Sequence, residues 1–342
     1  MRIMSKRREN LSLLLLITAV LVSVPLVLGF LGSAHPMLDS FGHFRPHLAI
    51  LMGLLALPLL FTKMRREGAM ILLFAILAFS TTLGAARNLL DGSSSAQADV
   101  PTTGARYSLV QINLRYNNPE PKRVLQMVAR EKPDVITYQE AGADWVMWID
   151  ILKGTYPYHF ECRKDGSNMG VGILSRRPFS EGSAQLCLGN DRFAMTSIDF
   201  SGTSINVAAY HAVLPWPYGQ AAIIDALVPE LQKFSGPMII AGDFNAAPWS
   251  NAVHRIEKAS TTKAMTGIGG TWVLQNLPIK LAPYVGLPID QVLVSHEIEA
   301  PTATTREDVG SDHLPIRLEF SVPMPVRPDT DEPETQSVML SF

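Results

Sequence analysis

The sequence predicts an α/β domain dominated by strands, preceded by an N-terminal helical transmembrane region. Three observations carry this. Apolar residues crowd into three uncharged runs before residue 90, and short β-branched segments alternate with amphipathic helices after residue 105. Five polar signatures then close predicted strands: Asn113, Glu140, Asp243 with Asn245, Asp290, and Asp312 with His313. Strand ends of such a domain share a rim, so side chains delivered there meet in one site.

The 342 residues are 47% hydrophobic and 18% charged, enough chain for about two domains. The apolar runs cover 11–32, 48–61 and 69–86. The first and third approach or exceed the roughly 18 to 20 residues that cross a bilayer. Extended through Pro46 and Thr62 the second reaches only about 17, so it is either a short crossing or a re-entrant segment. Arg2, Lys6, Arg7 and Arg8 precede the first run, and Lys63, Arg65 and Arg66 separate the second from the third. By the positive-inside rule both clusters are cytoplasmic, and three crossings put everything after Arg87 outside the cell (inner) membrane. Gly32-Ser33-Ala34 resembles a signal-peptide cleavage site, but the run before it exceeds the roughly 7 to 15 apolar residues of a leader, and two further runs would stay unexplained. The expected organisation is a membrane region over 1–90, a Ser/Ala/Gly/Thr linker over 91–104, a catalytic domain over 105–321 and a disordered Pro-rich acidic tail over 322–342.

Within the outer domain, period-two patterning predicts a strand over 107–114 that ends at Asn113. A helix over 122–131 carries Val124, Leu125, Met127 and Val128 on one face, and a buried strand over 134–138 runs into Gln139-Glu140. Strands follow at 158–163, 171–175, 193–200 and 205–210, the last ending beside His211. A helix over 220–234, a strand over 237–241 leading into Gly242-Asp243-Phe244-Asn245, a helix over 250–258, and strands over 288–294 and 315–320 complete the order.

Charge and cysteine content narrow the function. Residues 101–342 hold 20 Lys and Arg against 26 Asp and Glu. Such a balance argues against a surface built to grip duplex DNA nonspecifically. The two cysteines, Cys162 and Cys187, either form a disulfide in an oxidising compartment or stay as two buried thiols.

The segments Gln111-Ile112-Asn113-Leu114, Pro133-Asp134-Val135-Ile136 with Gln139-Glu140, Met169-Gly170-Val171-Gly172-Ile173-Leu174-Ser175-Arg176, Gly242-Asp243-Phe244-Asn245, Ile289-Asp290 and Gly310-Ser311-Asp312-His313-Leu314-Pro315 stand in order along the chain. In that order they resemble the endonuclease/exonuclease/phosphatase superfamily, over about 105–321. Pro248-Trp249-Ser250 and the hydrophobic runs in front make the resemblance strongest to its membrane-anchored bacterial branch. The resemblance implies a DNase I-like four-layer sandwich, two packed β-sheets flanked by helices, with the site at one end. It also implies metal-dependent hydrolysis of phosphoesters. Glu140 would then ligate Mg²⁺ or Mn²⁺, with Asn113 and Asp312 completing its shell. Asp243 would orient or deprotonate the attacking water, Asn245 would grip phosphoryl oxygens, and His211 would contact the phosphate.

The chemistry agrees with the residue types. A phosphoester repels nucleophiles by its charge, so a site needs a cation, an activated water and a group that meets developing charge. Hard carboxylate oxygens suit Mg²⁺. An imidazole that gives one N–H to a carboxylate, as His313 would to Asp290, is fixed in tautomer and made more basic. It can act as general base or, protonated, as an electrostatic stabiliser. The substrate is a phosphoester in a lipid head group, a nucleic acid or a small molecule, and the lipid bilayer is the other partner. After His211, Ala212-Val213-Leu214-Pro215-Trp216-Pro217-Tyr218 departs from the DNA-repair members, which carry an asparagine a few residues on, and makes an aromatic loop beside the site. Two other readings are an extracellular or periplasmic nuclease, and a membrane-tethered binding module with a retired site; no expected site residue is missing, which weighs against the second.

Overall fold

The computed structural model describes residues 2–83, 104–274 and 276–322. The expected linker up to residue 103, the end of the third apolar run and the tail after Val322 lie outside the described residues.

The N-terminal part consists of helices α1 (Arg2–Leu28), α2 (Pro36–Gly42), α3 (Arg45–Ala56) and α4 (Arg65–Ser80). Among the described residues only the first run lies on a helix long and apolar enough to cross a bilayer outright, the 26-residue stretch over Lys6–Leu31. The chain breaks just before the second run: α2 and the segment from Arg45 to Phe61 meet at 59°. Proline explains the break, because Pro36 and Pro46 each stand in the first turn of a helix, where the missing N–H costs nothing. The third run forms a helix of 16 residues, about 24 Å long, against the roughly 30 Å apolar core of a bilayer. The helices pack through Ala19, Leu26, Ala49, Met52, Ala75 and Ala78. Small residues inside allow close approach, while Leu14, Leu54, Met70 and Leu73 face outward, each more than half exposed.

The strands are β1 (Ala105–Asn113), β2 (Val135–Ala141), β3 (Tyr158–Cys162), β4 (Gly170–Ser175), β5 (Leu186–Leu188), β6 (Phe193–Phe200), β7 (Thr203–His211), β8 (Met238–Asp243), β9 (Thr262–Ala264), β10 (Asp290–Ser295), β11 (Glu299–Thr305) and β12 (Ile316–Val322). They form two six-stranded sheets, in the orders β11-β12-β1-β2-β4-β3 and β5-β6-β7-β8-β10-β9. Leu109, Val135 and Ile173 of one sheet meet Val207, Ile239 and Val292 of the other in the central core. Helices α5 (Pro121–Glu131) and α6 (Val146–Lys153) cover the outer face of the first sheet through Val124, Met127 and Ile149. Helices α7 (Gln220–Leu231) and α8 (Asn251–Ser260) cover the second through Ile224, Leu227, Val253 and Ile256. The result is the four-layer sandwich. Because helices shield the outer faces, central strands such as β8 and β10 are buried throughout and read as unbroken apolar runs. The strands without a sequence signal, β5, β9 and β11, lie at sheet edges, where segments are short or, in β11, carry a proline.

Pairing register aligns the functional strand ends. β7 and β8 run parallel with His211 opposite Asp243, and β10 runs antiparallel to β8 with Asp290 opposite the same Asp243. In the other sheet parallel β1 and β2 set Asn113 opposite Gln139.

Cys162 on β3 and Cys187 on β5 form a disulfide with their Cα atoms 5.6 Å apart. Each strand is the outer strand of a different sheet, so the bond staples the two sheets along one edge. The 25-residue separation corresponds to roughly 3 kcal/mol of loop-closure entropy. Cys162→Ala/Cys187→Ala should therefore melt roughly 6 to 12 °C below the parent in scanning calorimetry; an unchanged midpoint would mean the staple carries no stability.

Candidate active site

Alternation along β1 sends Gln111 and Asn113 to the same side, and both are buried. Asn113 is a bridge: its Nδ2 donates to Glu140 Oε1 and to Asp243 Oδ2, each at 3.1 Å, so one carboxamide joins the two sheets. Its Oδ1 accepts the backbone N–H of Arg115 at 3.0 Å.

Glu140 is reached by a distortion of its strand. Its φ is 58°, and the β2–β4 register shifts between Tyr138 and Ala141. A left-handed non-glycine residue costs on the order of 1 to 2 kcal/mol, and bulges re-aim side chains beside active sites. Glu140 Oε2 accepts the Tyr116 N–H at 3.2 Å. Asn245 is likewise left-handed, at φ 46°. Its backbone N–H donates to Asp243 Oδ1 at 2.8 Å and its Nδ2 to the carbonyl of Ala212 at 2.9 Å.

Asp290 is held at both oxygens. Oδ1 accepts Gln111 Nε2 at 3.0 Å, and Oδ2 pairs with His313 Nδ1 at 2.8 Å. Gln111 Nε2 also donates to Gln139 Oε1 at 2.8 Å, which carries the network back into the first sheet. Ser311 Oγ donates to the Asn113 carbonyl and accepts the His313 N–H, pinning the turn that presents the imidazole. His313 Nε2 then stands 3.7 Å from Asp243 Oδ2.

Burial sets the electrostatics. It disfavours the His313 imidazolium, but the Asp290 and Asp243 carboxylates outweigh it and raise that group to about 10. Burial raises Asp243 to about 7, with His313 opposing the rise and Asp290 and Glu140 adding to it. His211 moves the other way: burial, then Arg192 and His313, lower it to about 3. Its Nε2 is 3.8 Å from Asp243 Oδ2 and 3.9 Å from Glu140 Oε1, contacts of a neutral ring that are too long for hydrogen bonds. His211 Nδ1 is buried without a partner.

The donor atoms of Glu140, His211 and Asp243 lie within 4.8 Å of one another, and so do those of Asp243, Asp290 and His313. The first group fits a divalent cation. A buried carboxylate pushed up by burial and neighbouring carboxylates is relieved by positive charge, and a neutral imidazole offers a lone pair. In the second group His313 is already committed to Asp290. Asp312 lines the same cavity but joins neither group among the described residues, and Asn113 meets the carboxylates through its amide N–H rather than its oxygen.

The cavity above these groups measures about 740 Å³. Asn245, Arg192, Trp272, Leu287, Ile289 and the loop over 212–218 contribute to its lining, as do Ser40, His43 and Phe44 from the N-terminal part. Gln111, Gln139 and Arg192 were not among the residues expected to act here. Gln111 has a legible signal, a polar side chain two residues before Asn113 in an apolar strand. Arg192 also has one, because it follows the turn at Gly189-Asn190-Asp191 and opens β6 on the same rim. Nothing in the sequence ties residues 40–44 to the site.

The family model described as "Endonuclease/Exonuclease/phosphatase family" matches residues 110–313. A UPF0294 protein of Vibrio cholerae is 34% identical over 131 residues, which cover 35% of this chain and 41% of that protein; the chain thus spans less than half the length of this relative. Among solved structures, D. rerio TDP2 complexed with single strand DNA product has a TM-score of 0.51 at 20% identity, covering 64% of this chain and all of the other. The endonuclease/exonuclease/phosphatase from Bacteroides vulgatus has a TM-score of 0.51 at 16% identity with the same coverage. Both are likenesses of fold.

If Asp290 is what holds His313 protonated, Asp290→Asn should lower the His313 pKa from about 10 toward the ordinary value of about 6.5. An NMR titration of the imidazole in metal-free protein measures this; an unmoved titration would break the pairing argument.

Proposed function

We propose that the chain, which belongs to the endonuclease/exonuclease/phosphatase family, is a membrane-anchored, Mg²⁺- or Mn²⁺-dependent hydrolase of phosphoesters whose site opens on the extracytoplasmic side. The observation that carries this reading is the registered row His211, Asp243 and Asp290, closed by the 2.8 Å Asp290–His313 bond. It assembles an acidic pocket, an imidazole held by a carboxylate, and room above them for a phosphoryl group.

The Glu140 carboxylate, with His211 and Asp243 in the same group, would hold Mg²⁺ or Mn²⁺, which would supply positive charge beside the phosphorus and acidify the attacking water. Asn113 keeps the Glu140 and Asp243 carboxylates in fixed relation. Asp243 takes one proton of the water as its oxygen bonds to phosphorus. His313, favoured in its charged form by Asp290, meets the negative charge on the phosphoryl oxygens and gives a proton to the departing ester oxygen as the P–O bond breaks. Asn245 and Arg192 are the cavity donors for the remaining phosphoryl oxygens.

Anchoring rests on the N-terminal helices. Alanines meet inside the bundle and large apolar side chains face out, the inverse of a bundle made for water. Basic residues flank the first apolar run and the third on what would be the cytoplasmic side. The Cys162–Cys187 disulfide suits an oxidising compartment.

The full chain in detergent should hydrolyse bis-p-nitrophenyl phosphate with Mg²⁺ or Mn²⁺ and lose that activity to a chelator. Glu140→Ala and His313→Ala should each lower the rate by roughly 10² to 10⁴; full activity of either variant would overturn the assignment. For topology, a reporter active only in the periplasm should give signal when fused after Arg87 in a bacterial host, and signal from a cytoplasm-only reporter there would reverse the orientation.

A further inference from the structure

The segment between the first two apolar runs is built into the α/β domain. Asp39 reaches the N-terminus of α8, where its Oδ1 accepts the Asn251 N–H at 2.8 Å and its Oδ2 the Ala252 N–H at 2.9 Å. Ser250 Oγ takes the third free donor, Val253 N–H, so the first turn of this helix is satisfied by one local residue and one from the membrane region. Next to it the Trp249 indole N–H donates to the Gly42 carbonyl at 2.7 Å, and the Ala247 N–H donates to His43 Nδ1 at 3.0 Å. His47 Nε2 contacts the Val285 carbonyl at 2.9 Å. On its other side the segment is tied to α1: a Cβ on Gly29 would stand 2.9 Å from the Gly42 nitrogen, and Arg45 donates to the Gly29 carbonyl at 3.2 Å. The Pro248-Trp249-Ser250 sequence is therefore a docking surface for the inter-helix segment.

This docking brings Ser40, His43 and Phe44 into the wall of the active-site cavity. With Nδ1 accepting, the His43 proton is on Nε2, which is buried and has no partner. The mouth of the cavity is apolar: Phe44, Leu214 and Trp216 line it and are each about half exposed, and Tyr218 is 68% exposed. Tyr284 and Val285, beside the His47 contact, are 84% and 51% exposed. Exposed aromatic and aliphatic side chains thus stand beside the docked segment, at the cavity mouth and next to the His47 contact. Exposed aromatic rings are enriched at membrane–water interfaces.

We propose that residues 39–44 form a fixed wall of the site and make it selective for a phosphoester carried on an amphiphile in the same membrane. The phosphoryl group reaches Asp243 and His313 while the apolar chain leaves past Phe44, Leu214 and Trp216. This rests on the hydrolase reading above. The clamp holds the mouth at the membrane surface, and Asp39 acts through that placement as a positioning residue.

The test uses the full chain in lipid nanodiscs with Mn²⁺ and two substrates of identical chemistry, ethyl p-nitrophenyl phosphate and hexadecyl p-nitrophenyl phosphate. The parent protein should prefer the hexadecyl ester by about 100-fold or more in kcat/KM. Asp39→Ala should keep the rate on the ethyl ester and lose about 10-fold of that preference. Trp249→Phe, which removes only the donor to Gly42, should move the preference in the same direction. Equal use of the two esters by the parent, an unchanged preference in both variants, or faster cleavage of a duplex oligonucleotide than of the hexadecyl ester would each overturn the proposal while leaving hydrolysis intact. No turnover of either ester would overturn the hydrolase reading itself.

Discussion

Everything at the rim depends on keeping three carboxylates together in a buried place. Register across β7, β8 and β10 and the distortion at Glu140 bring Glu140, Asp243 and Asp290 within reach of one another. Like charges in low dielectric repel, so each is given a compensating partner. Asp290 has His313 and Gln111; Glu140 and Asp243 share Asn113. These partners leave Asp243 still displaced upward, which is the charge imbalance a divalent ion removes. The left-handed backbones of Glu140 and Asn245 fit the same account, since such strain persists where surrounding structure over-determines it and concentrates at working sites.

The same constraint explains the fold's investment in buried polar contacts. Gln111 lies in the core between the sheets and joins Gln139 of one to Asp290 of the other. Both bonds come from its Nε2, while Gln111 Oε1 is buried without a partner, and the two donations tie the sheets together beside the imidazole. At the opposite end of the energy scale, the N-terminal helices meet largely through alanines and present leucines outward. Asp39 and His43 connect these two regimes, tying the apolar helices to the domain that carries the site.

Much of this was legible in the sequence because the relevant residues are chemically unusual where they stand. Asp243 closes β8, Asp290 opens β10 and His313 stands just before β12, and an acidic or imidazole group at the end of an apolar strand has few structural reasons to exist. Periodicity gave the individual strands and helices, and the resemblance carried by the order of the motifs implied their four-layer arrangement. What stayed hidden had physical causes. Gln111 and Gln139 lack charge and pass for ordinary strand residues. The edge strands β5, β9 and β11 are too short or too irregular to leave a period. The cysteine pairing was open because two cysteines fix no geometry. Length alone suggested three crossings, whereas among the described residues the chain bends just before the second run and the helix of the third spans 16 residues. The docking of His43 on Ala247 joins positions 204 apart, and no local pattern encodes it.

On the proposed reading, the Glu140 carboxylate and its neighbours form a divalent-cation site that serves phosphoester hydrolysis. Anomalous diffraction at the manganese edge, from crystals of the active full chain grown with Mn²⁺, tests it directly. A peak within ligating distance of Glu140, beside His211 and Asp243, is the result expected from the charge arrangement. A fully active crystal with no peak at Glu140, or with manganese bound only elsewhere on the chain, would contradict it.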